Sequence, residues 1–117
     1  MAGKYDLRAP RPLGADTYDD AFRMAPIAER TVNNDGAAPR ARLIDPSLKI
    51  ALEIRADPAF GDFVVYAPED SPVVALEPYT CAPDAFNLAA RAIAAGMREL
   101  APGETFEAGF EIRLNAP

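Results

Sequence analysis

The segment Leu48-Lys49-Ile50-Ala51-Leu52-Glu53-Ile54 decides the fold. Leu48, Ile50, Leu52 and Ile54 fall on one side of an extended chain, and Lys49, Ala51 and Glu53 on the other. Successive side chains of a strand point to opposite faces, so this period of two predicts a half-buried β-strand. Turn chemistry brackets it, with Asp45-Pro46-Ser47 before and Asp57-Pro58 with Gly61 after. The end of the chain repeats the pattern. Phe106, Ala108, Phe110, Ile112 and Leu114 alternate with Glu107, Gly109, Glu111 and Arg113.

Working outward, residues 63–66 are aromatic and β-branched and end at Pro68, while residues 73–77 are apolar and end at Pro78. The two runs are close enough to pair as a hairpin. Residues 40–44 and 27–32 are further strand candidates, joined by Asn33-Asn34-Asp35-Gly36, whose Asn and Gly tolerate the positive φ of tight turns. Residues 97–100 read as another short strand, and Ala101-Pro102-Gly103-Glu104 as a turn. Residues 83–96 differ: Asp84 suits a helix N-cap, an Ala-rich run follows, and Gly96 suits a stop. Residues 1–25 read as an irregular leading segment, with a helical turn or loop over 16–24. Twelve prolines argue against long helices over most of the chain. The expected fold is all-β: an antiparallel β-sandwich of six or seven strands with at most one short helix, a single domain over 1–117.

Composition narrows the function. The net charge is −6 and the arginines are scattered singly, which argues against nucleic acid as a partner. No apolar run approaches the about 20 residues that span a bilayer, and the first eleven residues lack the apolar core of a secretory signal. The single cysteine, Cys81, cannot form an internal disulfide, which fits a reducing, cytoplasmic setting. The chain has no histidine. That removes the commonest general acid/base and the commonest transition-metal ligand, and with them any Ser-His-Asp or Cys-His pair. No metal or other cofactor is expected.

Several segments carry a resemblance. Val64-Val65-Tyr66-Ala67-Pro68 is followed by Val74-Ala75-Leu76-Glu77-Pro78, then Ala82-Pro83-Asp84-Ala85-Phe86-Asn87 and Leu100-Ala101-Pro102-Gly103-Glu104. Upstream stand Tyr5-Asp6-Leu7-Arg8-Ala9-Pro10-Arg11-Pro12-Leu13-Gly14 and Tyr18-Asp19-Asp20-Ala21-Phe22. In order and spacing these resemble the C-terminal portion of the aldose 1-epimerase (galactose mutarotase) family, whose domain is a β-supersandwich more than twice as long. The resemblance implies that Glu77 is the general base and that Asp19 binds the hydroxyls of a hexose. The family's two important histidines and its substrate-binding arginine have no counterpart here, and one of those histidines is the general acid.

Mutarotation requires a base on the anomeric hydroxyl and an acid on the ring oxygen, each within hydrogen-bond reach. The resemblance implies that Glu77 supplies the first, and no histidine is present to supply the second. Read from the residues alone, Glu77 is a solvated carboxylate at a strand end, and Asp19 a turn or capping residue. Asp84 and Asn87 read as loop-stabilising, Cys81 as a small buried residue, Tyr79 as a partly buried loop aromatic, and Arg8 as the partner of Asp6 or Asp20. Two expectations follow. One is a hexose-binding isomerase, an aldose 1-epimerase-like enzyme in carbohydrate metabolism. The other is a catalytically inactive carbohydrate-binding or self-associating module. A half-sandwich leaves apolar sheet surface and unpaired strand edges, so a homo-oligomer, or a partner completing the sandwich, is expected.

Overall fold

The computed structural model describes residues 3–117 and has an all-β, sandwich-like fold. Six strands, β1 (Tyr18–Arg23), β2 (Ala41–Asp45), β3 (Ile50–Ala56), β4 (Asp62–Ala67), β5 (Ala75–Tyr79) and β6 (Phe110–Asn115), form two three-stranded antiparallel sheets. The first sheet runs β1-β4-β5 and the second β2-β3-β6. One helix, α1 (Ala85–Ala90), interrupts the pattern.

Period two drives both sheets. In the second, Ile54 pairs with Ala41 on one side and Ile112 on the other, and Leu52 with Leu43 and Leu114, so these residues share one face. Arg42, Glu53, Arg55, Glu111 and Arg113 share the opposite face. In the first sheet, Tyr18, Phe22, Phe63, Val65, Ala67 and Leu76 face inward.

The sheets meet where Ile54 and Ala56 of β3 pack with Phe60 and Phe63, flanked by Met24, Ala41, Leu52 and Leu76. Ile54 is the largest side chain fully withdrawn from solvent. Burying one such chain stabilises by about 1.5–3 kcal/mol. This junction is small. The molecule measures 50 × 32 × 27 Å with a radius of gyration of 15.8 Å, against about 13 Å for a compact chain of this length. The sheets therefore share a narrow core, and much of the second sheet's apolar face stays uncovered: Ile112 is 58% and Leu114 66% exposed.

The charged face of that second sheet is covered instead. Arg55, buried, donates to the carbonyls of Thr31, Asn34 and Ala37. The Thr31 hydroxyl donates to Ala56 O and accepts from Ala56 N. Residues 27–32 are irregular chain rather than the expected strand, and Thr31 among them meets β3 from the side through its hydroxyl and carbonyl. The Asn33–Gly36 turn forms as expected, with Asn33 at φ 54° and Ala37 N–H donating to Asn34 O.

Other boundaries shift for identifiable reasons. Residues 16–24, expected as a helical turn or loop inside an irregular leading segment, instead contain β1, because Tyr18 and Phe22 bury on the first sheet and β1 pairs along the whole of β4. The Asp45 carboxylate accepts the N–H groups of Ser47 and Leu48, and Lys49 turns at φ 55°, so the alternation starting at Leu48 becomes a strand only from Ile50. Residues 97–100 and 106–109 stay outside the sheets. The turn at 101–104 closes with Glu104 N–H on Ala101 O.

Pro78 does not end β5 as expected but lies within it, opposite Phe63. Met24 N–H donates to Gly61 O across β1 and β4. By the antiparallel alternation this turns the polar groups of Phe63 towards β1, so Phe63 and Pro78 do not exchange hydrogen bonds. The ring nitrogen of Pro78 thus falls on the outer side of an edge strand, where no ladder bond is lost.

Candidate functional site

β1, β4 and β5 place the two carboxylates singled out by the sequence. Ala21, Val64 and Glu77 form one cross-strand row, and Asp19, Tyr66 and Ala75 the next. Residues in register share a face, so Asp19 and Glu77 both stand on the outer face of the first sheet, away from its core. Asp20, its neighbour in sequence, falls on the other face. Two strand spacings and two residues separate the Cα atoms of Asp19 and Glu77, about 12 Å.

Between them lies a floor of Ala21, Val64 and Ala75, with Tyr66 42% exposed beside Asp19. Asp19 and Tyr66 occupy a non-hydrogen-bonded pair by the same alternation, the closer of the two antiparallel spacings. Asp19 is exposed, and Glu77 is half-buried. The Tyr79 hydroxyl donates to Glu77 Oε2 at 3.0 Å. That bond, and the negative charge behind it, raises the Tyr79 pKa above the ordinary tyrosine value. Tyr79 is thus a β5 residue that orients Glu77 rather than a loop aromatic. The signal for it was the i, i+2 spacing, hidden by the proline between.

The far end of this face is walled. Arg23, Asp62 and Tyr79 form the next row, and Asp62 is buried. Arg23 Nε meets Asp62 Oδ1 at 3.1 Å, and Arg23 Nη2 donates to Ala94 O at 3.0 Å. The segment after β5 folds back to provide that carbonyl. Ala82 N–H donates to Ala95 O at 2.7 Å, and Gly96, at φ +75°, passes so close that an added Cβ would lie 3.1 Å from Thr80 O. Gly96 serves this close approach and not the end of α1, which stops at Ala90 with Ala92 at φ 57°.

The remaining sequence candidates settle into structural roles. Asp84 precedes α1 at φ 62° without capping a backbone N–H, and its carboxylate accepts from the Asn87 side chain at 2.6 Å. Arg8 pairs with Asp6, which holds the Asp6 carboxyl down to about 2. Cys81 is a half-buried free thiol, more open than expected. Two surface depressions lie elsewhere: one between Arg30, Asp57 and residues 106–109, the other between Met24 and Arg40, and neither is lined by Asp19 or Glu77. The carboxylates share one sheet face, closed at one end by the Arg23–Asp62 pair and the segment after β5. Among the described residues no cluster of acidic or cysteine side chains fits a metal ion, and no helix is long and apolar enough to cross a membrane.

Chemically, the face offers carboxylate acceptors, a tyrosine ring and an aliphatic floor. It offers no acid facing Glu77: Tyr79 lies on the same side and its proton is held more tightly than usual. No protein-family model, curated protein or solved structure matches this chain.

Proposed function

We propose that this chain binds a hexose on the outer face of β1-β4-β5, with Asp19 and Glu77 accepting sugar hydroxyls, and that it acts as a carbohydrate-binding module rather than as a fast epimerase. One observation carries this reading: two carboxylates far apart in sequence share a face with an exposed tyrosine and a small aliphatic floor. Carboxylates accept hydroxyl protons in pairs, and the apolar floor and aromatic ring suit the C–H faces of a pyranose.

A second reading is favoured by the half-burial of Glu77 and its bond from Tyr79. In it Glu77 is an oriented base in anomer exchange, as the resemblance to aldose 1-epimerases implies. Without an acid the ring oxygen takes its proton from water, which forfeits about 10²–10⁴ in rate.

Saturation-transfer NMR with glucose and galactose tests binding, and the decay of optical rotation of the fresh α-anomers tests catalysis. Saturation transfer that disappears in Asp19→Asn, without faster mutarotation, supports the module. Mutarotation accelerated by the chain and abolished by Glu77→Gln supports the enzyme. No transfer and no acceleration with either sugar sinks both.

A further inference from the structure

The second sheet ends in β6, which pairs only with β3. Two hydrogen bonds settle which of its backbone groups are free. Asp57 N–H donates to Gly109 O, one step beyond the Ala56–Phe110 pair, and Ile54 O accepts from Arg40 N–H on the β2 side. Residues 51, 53, 55 and 57 therefore bond towards β6, and 50, 52, 54 and 56 towards β2. By the antiparallel alternation, the N–H and C=O groups of Phe110, Ile112 and Leu114 point outward from the sheet. Their side chains are also the exposed ones, at 50%, 58% and 66%. No proline lies in this strand, one of the usual devices against edge pairing.

The sequence of β6 is self-complementary. Laid antiparallel on a second copy about Ile112, Phe110 faces Leu114 of the other chain, Ile112 faces itself, and Glu111 faces Arg113. Neighbouring registers fail. Centring on Glu111 or on Arg113 opposes like charges, and a slip of one residue sets apolar side chains against charged ones. In the Ile112 register the outward backbone groups of both strands meet as hydrogen-bonded pairs. Glu111 and Arg113 occupy the closer non-hydrogen-bonded positions, where opposite charges interact best.

We infer that two copies of this chain pair through their β6 edges about a two-fold axis at Ile112, joining two three-stranded sheets into one six-stranded sheet. The partner is a second copy because the strand matches itself in both charge and apolar pattern. An isologous joint of this kind closes on two chains. The pairing is edge to edge, and it is independent of the sugar reading.

Sedimentation velocity across a concentration series tests it. The wild-type chain is expected to move from its 12.6 kDa monomer to a species of twice that mass. Ile112→Pro removes one outward N–H without cutting a bond to β3, and is expected to be monomeric with an unchanged far-ultraviolet dichroism spectrum. Glu111→Arg and Arg113→Glu each place like charges across the joint and are expected to be monomeric alone. Mixed together, they bring opposite charges into register, and the dimer is expected to return as a heterodimer. A wild-type chain that stays monomeric into the millimolar range overturns the inference. So does a dimer that survives Ile112→Pro, or a mixture of the two charge variants that stays monomeric.

Discussion

Tyr79 and Glu77 lean towards each other along one strand, with the tyrosine hydroxyl donating to Glu77 Oε2 at 3.0 Å across an intervening proline. The bond fixes the orientation of the one carboxylate on which the catalytic reading depends. It also holds the phenolic proton of Tyr79.

Because Glu77 accepts the proton of Tyr79, the phenol should ionise above the ordinary value of about 10. The sign is that of a raised folded-state pKa: the contribution to stability is complete below the unfolded value and disappears as pH climbs through the folded one. Ultraviolet titration of the tyrosines should therefore show one late phenolate, absent in Tyr79→Phe. In Glu77→Gln that late ionisation should shift down, towards the ordinary range.

Arg55 should be among the least replaceable side chains. It is 6% exposed and donates to three carbonyls of the 31–37 segment. Arg55→Met leaves those acceptors without their donor, and the expected loss is about 3 kcal/mol, read as a lower urea midpoint. Arg55→Lys should recover only part of it, since a single ammonium cannot reproduce the planar fork.

Gly96 and Gly103 separate backbone strain from lack of space. Both have positive φ, +75° and +87°, but only Gly96 has neighbours within reach of an added Cβ. Gly103→Ala should cost about 1 kcal/mol from backbone preference alone. Gly96→Ala should cost about 1–2 kcal/mol more, because the neighbouring atoms are backbone and give way poorly. Thermal melts of the two variants measure the difference.

The acid side is set by carboxylates held below their usual range. Asp35 is lowered chiefly by its bond to Arg113, and Glu111 chiefly by the N–H of Asn33. Depressed pKa values stabilise the fold above the unfolded value of about 4, and that contribution is lost as pH falls through the folded values. Carboxyl NMR titration of Arg113→Gln should show Asp35 returning to the ordinary range, while Glu111 moves less.

Much of the fold is legible because its strands alternate strictly. Ile50, Leu52 and Ile54, with Ile112 and Leu114, declare one apolar face without any partner in view. β1 was not legible. Tyr18 and Phe22 are four residues apart, a spacing that suits a helical turn as well as one face of a strand, and Asp19-Asp20-Ala21 between them favours neither. Pairing with β4, remote in sequence, decides it. The same non-locality governs the site. That Glu77 and Asp19 are acidic is evident from the sequence. That they share a face depends on two registers passing through β4, and those depend on Phe63 and Val65 facing inward. Residues 27–32 misled for the opposite reason: their pattern was strand-like, but Thr31 and Arg55 consumed the hydrogen bonds that a ladder would have used.

Pro78 makes the two outer edges of β5 and β6 unequal. With its ring nitrogen on the outer side of β5, that edge lacks a donor at one of its outward positions, so a strand adding there forms an interrupted ladder. Head-to-tail addition of β6 onto the β5 of another molecule would build an open-ended ribbon, and each link would carry that defect. The proline thus weakens that one edge as a template for a further strand, and it lies next to Glu77 on the strand that carries the candidate sugar site.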